Sequence, residues 1–243
     1  MRPLIGIPQC LDDRGRWRSG RDYQYLDCAY ARAVDAAGGT PVYVPIQRDA
    51  KALMDRLDGL LLPGGGDFAP PHPYPDGVRF DTASAAQLDF DARLLAAALE
   101  RGSPVLAICY GMQLLALQRG GTLHYDIPTD LPAAAIHRQA ESDGRHAVVV
   151  AAGSRLAGIL GASPEPVNSL HHQGVATPGD LRVAARAVDG LIEAVESAAA
   201  PFCIGVQWHP EKMEGPHRDR LMAAFVAACQ EHRGDGGADG RYN

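Results

Sequence analysis

Cysteine is scarce and unpaired. The 243 residues hold five, at positions 10, 28, 109, 203 and 229, with no CxxC pair among them. An odd, scattered set does not read as a disulfide framework; it is the usage of a reducing compartment where thiols stay free. No apolar run reaches 18 residues, which excludes a membrane-spanning helix on length. The opening "MRPLIGIPQC" reaches proline and polar residues too early for a secretory signal, so the expected location is the cytoplasm. Excess positive charge is absent too: the formal net charge is -6, which argues against nucleic acid or an anionic membrane as partner. Neither GxGxxG nor Gly-Lys-Ser/Thr occurs in the glycine-rich stretch, so no nucleotide cradle is implied. His-x-Glu at 209–211 is by itself a weak metal signal, and no other His/Asp cluster has ligand spacing that completes it. No metal and no cofactor are therefore expected.

What is present is an ordinary globular composition, 46% hydrophobic and 21% charged, in a chain long enough for one large domain. We expect a single domain over 1–232, with no internal repeat or linker. The tail 233–243, "RGDGGADGRYN", has almost nothing to bury and is expected to be disordered. In the first half, "LIGI" (4–7), "PVYVPI" (41–46), "GLLL" (59–62) and "PVLAIC" (104–109) read as strands. Tyr23, Leu26, Tyr30, Val34 and Ala37 recur at helical spacing, and further helices are expected around 50–57 and over 84–101. Residues 67–83 read as a long surface loop. Strands alternating with helices at this rhythm argue for an α/β fold with a parallel sheet covered on both faces. The second half differs. "HAVVV" (146–150), "RVAARAV" (182–188), "LIEAVE" (191–196) and "FCIGVQW" (202–208) are strand-like, before a closing helix over 218–232. Asp189-Gly190 between two of these strands predicts a hairpin. A small antiparallel portion is thus expected there.

Three stretches carry chemistry. Cys109 ends a buried strand, and Gly111 lets the chain turn sharply into a helix. Small-x-Cys-x-Gly is the logic of a nucleophile elbow, which lifts the side chain above the C-terminal sheet edge, where open α/β sheets bind ligands. The helix N-terminus there favours thiolate over thiol. Cysteine also fills cores, so this stretch alone leaves packing and reactivity equally open. In "VQWHPEK" (206–212), His209 leaves a strand end and Glu211 is close enough to orient it, which together with a thiol would make a Cys-His-Glu triad. A surface charge pair is the plainer alternative. In "LLLPGGGD" (60–67), three glycines after a strand permit backbone N–H groups aimed at a negative oxygen; a tight turn needs the same glycines.

In this order, each at a strand end, the pieces resemble the class I glutamine amidotransferases, and most closely the stand-alone γ-glutamyl hydrolase branch to which the γ-glutamyl-γ-aminobutyrate hydrolases belong. The resemblance runs from "PLIGIP" through "DGLLLPGGGD", "PVLAICYGMQLLALQRGGTLHYDI", "VNSLHHQ" and "DGLIEAVE" to "IGVQWHPE". It implies a flavodoxin-like sheet flanked by helices. It also implies that Cys109 attacks a γ-glutamyl carbonyl to form a thioester, while His209 moves the proton and Glu211 orients the imidazole. The backbone N–H groups of Gly65 and Tyr110 would form the oxyanion hole. Gln113, His171 and Gln173 would contact the glutamyl part, with His172 left open and His124 assigned to scaffold. The implied partner is a small γ-glutamyl substrate; a homodimer is left open.

Two departures stand out. Family members commonly read Cys-Arg-Gly at the elbow, where this chain has Cys109-Tyr110-Gly111, and Gln87 and Leu88 replace an Arg-Asp pair. The ring of Tyr110 and the acidic loop 67–91 then favour a neutral, aromatic or cationic leaving amine. Alternatively, Tyr110 serves through its backbone alone and Arg79 or Arg93 holds an amine carboxylate. Beside γ-glutamyl amide hydrolysis stand two other readings, a glutaminase subunit feeding ammonia to a separate synthase and a non-catalytic binding protein on the same fold.

Overall fold

The computed structural model describes residues 1–134, 137, 144–161 and 166–237. In chain order the strands are β1 (Leu4–Pro8), β2 (Cys10–Asp12), β3 (Tyr23–Tyr25), β4 (Thr40–Val44), β5 (Gly59–Leu62), β6 (Val105–Ile108), β7 (Thr122–His124), β8 (Arg145–His146), β9 (Val148–Val150), β10 (Val167–Asn168), β11 (Gly174–Thr177), β12 (Arg182–Ala187), β13 (Ile192–Glu196) and β14 (Cys203–Val206). The helices are α1 (Cys28–Ala36), α2 (Ala50–Met54), α3 (Ala85–Glu100), α4 (Tyr110–Gln118), α5 (Ile127–Asp130), α6 (Arg155–Leu160) and α7 (Pro216–Gly237).

Ten strands make one sheet in the order β4-β1-β5-β6-β14-β13-β11-β7, with β12 joined to β13 and β9 to β12. Pairings from β4 to β14 are parallel; those beyond β14 are antiparallel. This is the expected fold, a mostly parallel sheet in the first half with an antiparallel portion in the second. Every residue of β5, β6 and β14 is buried, because helices cover both faces and leave no side for polar residues. The period-two alternation survives as a choice of layer. Leu106 and Ile108 pack with Tyr30, Val34 and Phe225 on one face, while Val105 and Ala107 pack with Phe90, Leu94 and Leu115 on the other.

The differences from expectation have local causes. Tyr23 and Leu26 precede α1 rather than lying in it, because Tyr23–Tyr25 pairs with Cys10–Asp12 and the Asp27 side chain caps the helix by accepting from Ala29 N. Helix α2 stops at Met54, short of 57. The chain must reach Asp58, whose N–H donates to Leu4 O and whose Oδ2 accepts from Leu4 N. The Asp189-Gly190 hairpin forms as expected, with Gly190 at φ 92°. The closing helix takes in residues 233–237, which composition assigned to the tail; residues 238–243 lie outside the described residues. Among the described residues no helix is long and apolar enough to cross a membrane.

Candidate active site

Cys109 follows β6 at φ 52°, ψ -106°, the one non-glycine described residue with positive φ. A backbone held in so sparsely populated a region must be over-determined by its surroundings. Here Cys109 N donates to Val206 O at 2.8 Å, tying the turn to β14. The chain then enters α4 against β5, so close that a Cβ on Gly111 would lie 2.6 Å from Leu62 O. Only glycine admits that approach.

His209 comes three residues after β14, ahead of a 3-10 turn over Pro210–Lys212. Its backbone is clasped by one side chain: Asn168 Nδ2 donates to His209 O, and His209 N donates to Asn168 Oδ1, both at 2.8 Å. On the imidazole, Nδ1 lies 2.7 Å from Glu211 Oε1. Glu211 is wholly buried, so its carboxylate fixes the ring and favours its protonated form. The Tyr30 hydroxyl lies 3.4 Å from the same nitrogen and accepts from Gly64 N at 2.8 Å. A Cβ on Gly64 would come within 2.6 Å of His209 Cε1, so the first glycine of the run exists to let the ring lie against the backbone. Burial alone would lower the histidine pKa, but the charge of Cys109 and then that of Glu211 outweigh it, lifting the group to about 10. The site therefore favours the protonated imidazolium of His209.

The thiol has a second contact. Gln207 Nε2 donates to Cys109 Sγ at 3.4 Å. Gln113 Nε2 in turn reaches Gln207 Oε1 at 3.2 Å and Gln173 O at 3.0 Å. The amide nitrogens of Gly65 and Tyr110 make no hydrogen bond among the described residues, which leaves both able to donate to an oxyanion.

The structure brings Cys109, His209 and Glu211 together with Gly65 and Tyr110, but it gives the expected substrate contacts other neighbours. Gln113, His171 and Gln173 are all buried. Gln173 accepts from Phe68 N and donates to Phe68 O and Tyr125 O, pinning the loop after β5. His171 Nδ1 meets Gln173 O at 3.0 Å. His172 lies between Asp126 Oδ1 and Asp67 Oδ1, at 3.1 and 3.0 Å. These residues brace the pocket wall. His124 ends β7.

Tyr110 is also corrected. Its ring stacks on Phe68 in the core, centroids 5.0 Å apart, and its hydroxyl donates to Asp91 Oδ2; burial pushes the Asp91 carboxyl up to about 7. The Tyr110 ring is therefore not offered to an amine. The acids of loop 67–91 are largely occupied as well: Asp81 by Arg14 and Arg16, Asp89 by Arg93, Asp67 by His172. Beside His209 opens a cleft of about 270 Å³, lined among others by Arg14, Arg16, Lys212, Asp27, Asp81 and Gln87. Asn168, Gln207 and Tyr30 are functional-site residues that sequence reasoning missed, as is a group of possible metal ligands at His137, His146 and Glu193.

A family model described as Peptidase C26 matches residues 3–211. A γ-glutamyl-γ-aminobutyrate hydrolase of Escherichia coli O157:H7 is 37% identical over 249 residues, covering 95% of this chain and 94% of that protein. The γ-glutamyl-γ-aminobutyrate hydrolase PuuD of E. coli K12 is 36% identical at the same coverage. Among solved structures, the glutaminase domain of Trypanosoma brucei CTPS with bound acivicin shares the fold at TM-score 0.62 and 15% identity, covering 94% of each chain.

Proposed function

The chain belongs to the Peptidase C26 family of class I glutamine amidotransferase-like, cysteine-dependent hydrolases, and from that premise we propose that it hydrolyses the amide bond of a γ-glutamyl amine to glutamate and amine. The observation that carries this reading is the strained turn at Cys109 set beside a histidine whose Nδ1 is 2.7 Å from a buried carboxylate. In the proposed cycle the Cys109 thiolate attacks the γ-carbonyl carbon, and the carbonyl oxygen takes the negative charge between the amides of Gly65 and Tyr110. The His209 imidazolium, oriented by Glu211, gives its proton to the leaving nitrogen as the C–N bond breaks. The neutral ring then takes a proton from water, which attacks the thioester and releases glutamate. Asn168 and Gln207 act as positioning residues, one through the His209 backbone and the other on the thiol.

The cleft supports an amine that carries a carboxylate. The buried Tyr110 ring and the paired loop acids remove the case for preferring a cationic amine. Arg14, Arg16 and Lys212 line the space beside His209 together with their own partners Asp81 and Asp27; three cations against two acids leave a positive balance there, and guanidinium groups suit bidentate carboxylate recognition. Arg93, one of the two candidates from sequence, is held by Asp89 and Arg48 O; the other, Arg79, lines a different cavity. Purified protein assayed against γ-glutamyl-γ-aminobutyrate, other γ-glutamyl amides and free glutamine tests this reading. Release of γ-aminobutyrate that disappears in Cys109→Ala is the expected result. Glutamine as the one substrate hydrolysed would favour the ammonia-delivering alternative.

A further inference from the structure

Away from Cys109, the fold gathers three histidines around one carboxylate oxygen. Glu193, from β13, is completely buried, and its Oε1 lies 3.2 Å from His146 Nε2, 3.5 Å from His137 Nδ1 and 3.6 Å from His171 Nε2. Among the described residues, both Glu193 oxygens, His146 Nε2 and His171 Nε2 are buried without a hydrogen-bond partner of good geometry, although, against the upward push of burial, His146 and His171 lie close enough to hold the Glu193 carboxyl down to about 2. A buried carboxylate without aligned donors is costly unless a cation compensates it, whether a proton on these imidazoles or a metal ion shared among them.

The far sides of the rings show which nitrogens carry protons. His171 Nδ1 faces the carbonyl oxygen of Gln173 at 3.0 Å, and a carbonyl can only accept, so Nδ1 is the protonated nitrogen and Nε2 offers a lone pair. His137 Nε2 lies 2.8 Å from Asp189 Oδ2, a carboxylate that likewise accepts, so its Nδ1 offers the lone pair. The nearby Ser169 hydroxyl donates to His137 O at 2.7 Å and lies 3.5 Å from His137 Nδ1. Two lone pairs thus point at an anionic oxygen, an arrangement that repels itself without a positive centre among them. Histidine held through one nitrogen by a carboxylate or carbonyl, with the other nitrogen free, is the outer-shell pattern of metal-binding imidazoles. The lengths agree too. A tetrahedral ion with ligands at about 2.0–2.1 Å has ligand–ligand edges of about 3.3–3.4 Å, against the 3.2–3.6 Å from Glu193 Oε1 to the three nitrogens. Ligand atoms of His137, His146 and Glu193 all lie within 4.8 Å of one another.

We propose that His137, His146 and Glu193, with His171 beside them, form a structural site for a divalent cation of the Zn²⁺ class. Imidazole and carboxylate are a borderline donor set that suits zinc better than calcium or magnesium. The ion joins residues 137 and 146 to the segment 167–173, whose Asn168 clasps His209. It braces the active-site wall without touching the reacting atoms. No motif search finds this site, because its ligands lie at 137, 146, 171 and 193 and its geometry comes from the antiparallel half of the fold.

The test uses untagged full-length Cys109→Ala protein, so that the nucleophile cannot contribute a ligand, dialysed against chelator and titrated with Zn²⁺ and then Co²⁺. The expected result is uptake of one ion per chain, a rise in the thermal midpoint, and visible cobalt bands of tetrahedral intensity without a thiolate charge-transfer band. His146→Ala alters a side chain still 16% exposed, so the variant should fold, and it should bind at least tenfold more weakly. No uptake, affinity unchanged by His146→Ala, or a thiolate band that places the ion on another cysteine would each overturn the proposal. Because the readout is metal rather than turnover, the outcome is independent of the hydrolase reading.

Discussion

Two buried histidine–carboxylate groups in this molecule differ in one geometric respect, and the difference separates their chemistry. At His209 a single nitrogen meets a single carboxylate oxygen at 2.7 Å, a short charge-assisted contact that settles where one proton resides. At Glu193 three nitrogens approach one oxygen at 3.2–3.6 Å with no hydrogen bond among them. In the proposed cycle the first arrangement moves a proton; in the proposed metal site the second shares a larger cation. Residue type would not distinguish them, since both pair histidine with glutamate.

Removal of the proton-moving group should have the largest effect. His209→Ala should lower kcat on the order of 10⁴-fold or more, as expected where triad members act as a unit, with the thermal midpoint far less affected than turnover. Retention of a tenth of wild-type kcat would erase the distinction drawn above. Glu211→Gln should come next, with a loss on the order of 10³-fold, since the ring loses its orienting charge but keeps its place through Asn168. The matched change on the other side, His146→Ala, should alter kcat by less than about tenfold while lowering metal retention and thermal midpoint. Steady-state kinetics and thermal melts on both variants show whether the two groups are separable.

A smaller effect concerns the amine. Arg16→Ala should reduce kcat/KM for γ-glutamyl-γ-aminobutyrate about tenfold more than for a γ-glutamyl amide lacking the carboxylate, about 1.4 kcal/mol of transition-state preference. Equal losses on both substrates would assign Arg16 to holding the loop through Asp81. The pH dependence of stability should be gentlest. His209 binds its proton more tightly in the fold than in the unfolded chain, where its value is about 6.5. Its contribution to stability is therefore fully present below about 6.5 and is lost as pH rises through about 10. Melts should decline toward that limit more steeply in the native protein than in His209→Gln.

The parallel half was legible because its signals are local. Runs such as "GLLL" and "VLAI" have no polar residue, and Gly111 marks a turn where backbone meets backbone. The proposed triad was legible for the same reason, with Glu211 two residues from His209 and Cys109 at a strand end. What failed is what depends on contacts far apart in the chain. Tyr110 was expected to face the amine, yet its ring is taken by Phe68 and its hydroxyl by Asp91. Gln173 and His171 were read as substrate contacts from the resemblance of "VNSLHHQ", and their neighbours Phe68, Tyr125 and Glu193 come from other parts of the chain that the sequence does not connect to them. Asn168 holds His209 across 41 residues, a separation no periodicity or spacing rule reaches.

The central claim is that Cys109 carries the glutamyl group as a thioester. Acid quenching during turnover of a slow γ-glutamyl amide, followed by peptide mass spectrometry, tests it directly. The account predicts one glutamyl adduct on the peptide containing Cys109, lost on treatment with hydroxylamine and absent from Cys109→Ala. An adduct on another residue, or undiminished turnover in Cys109→Ala, would contradict it.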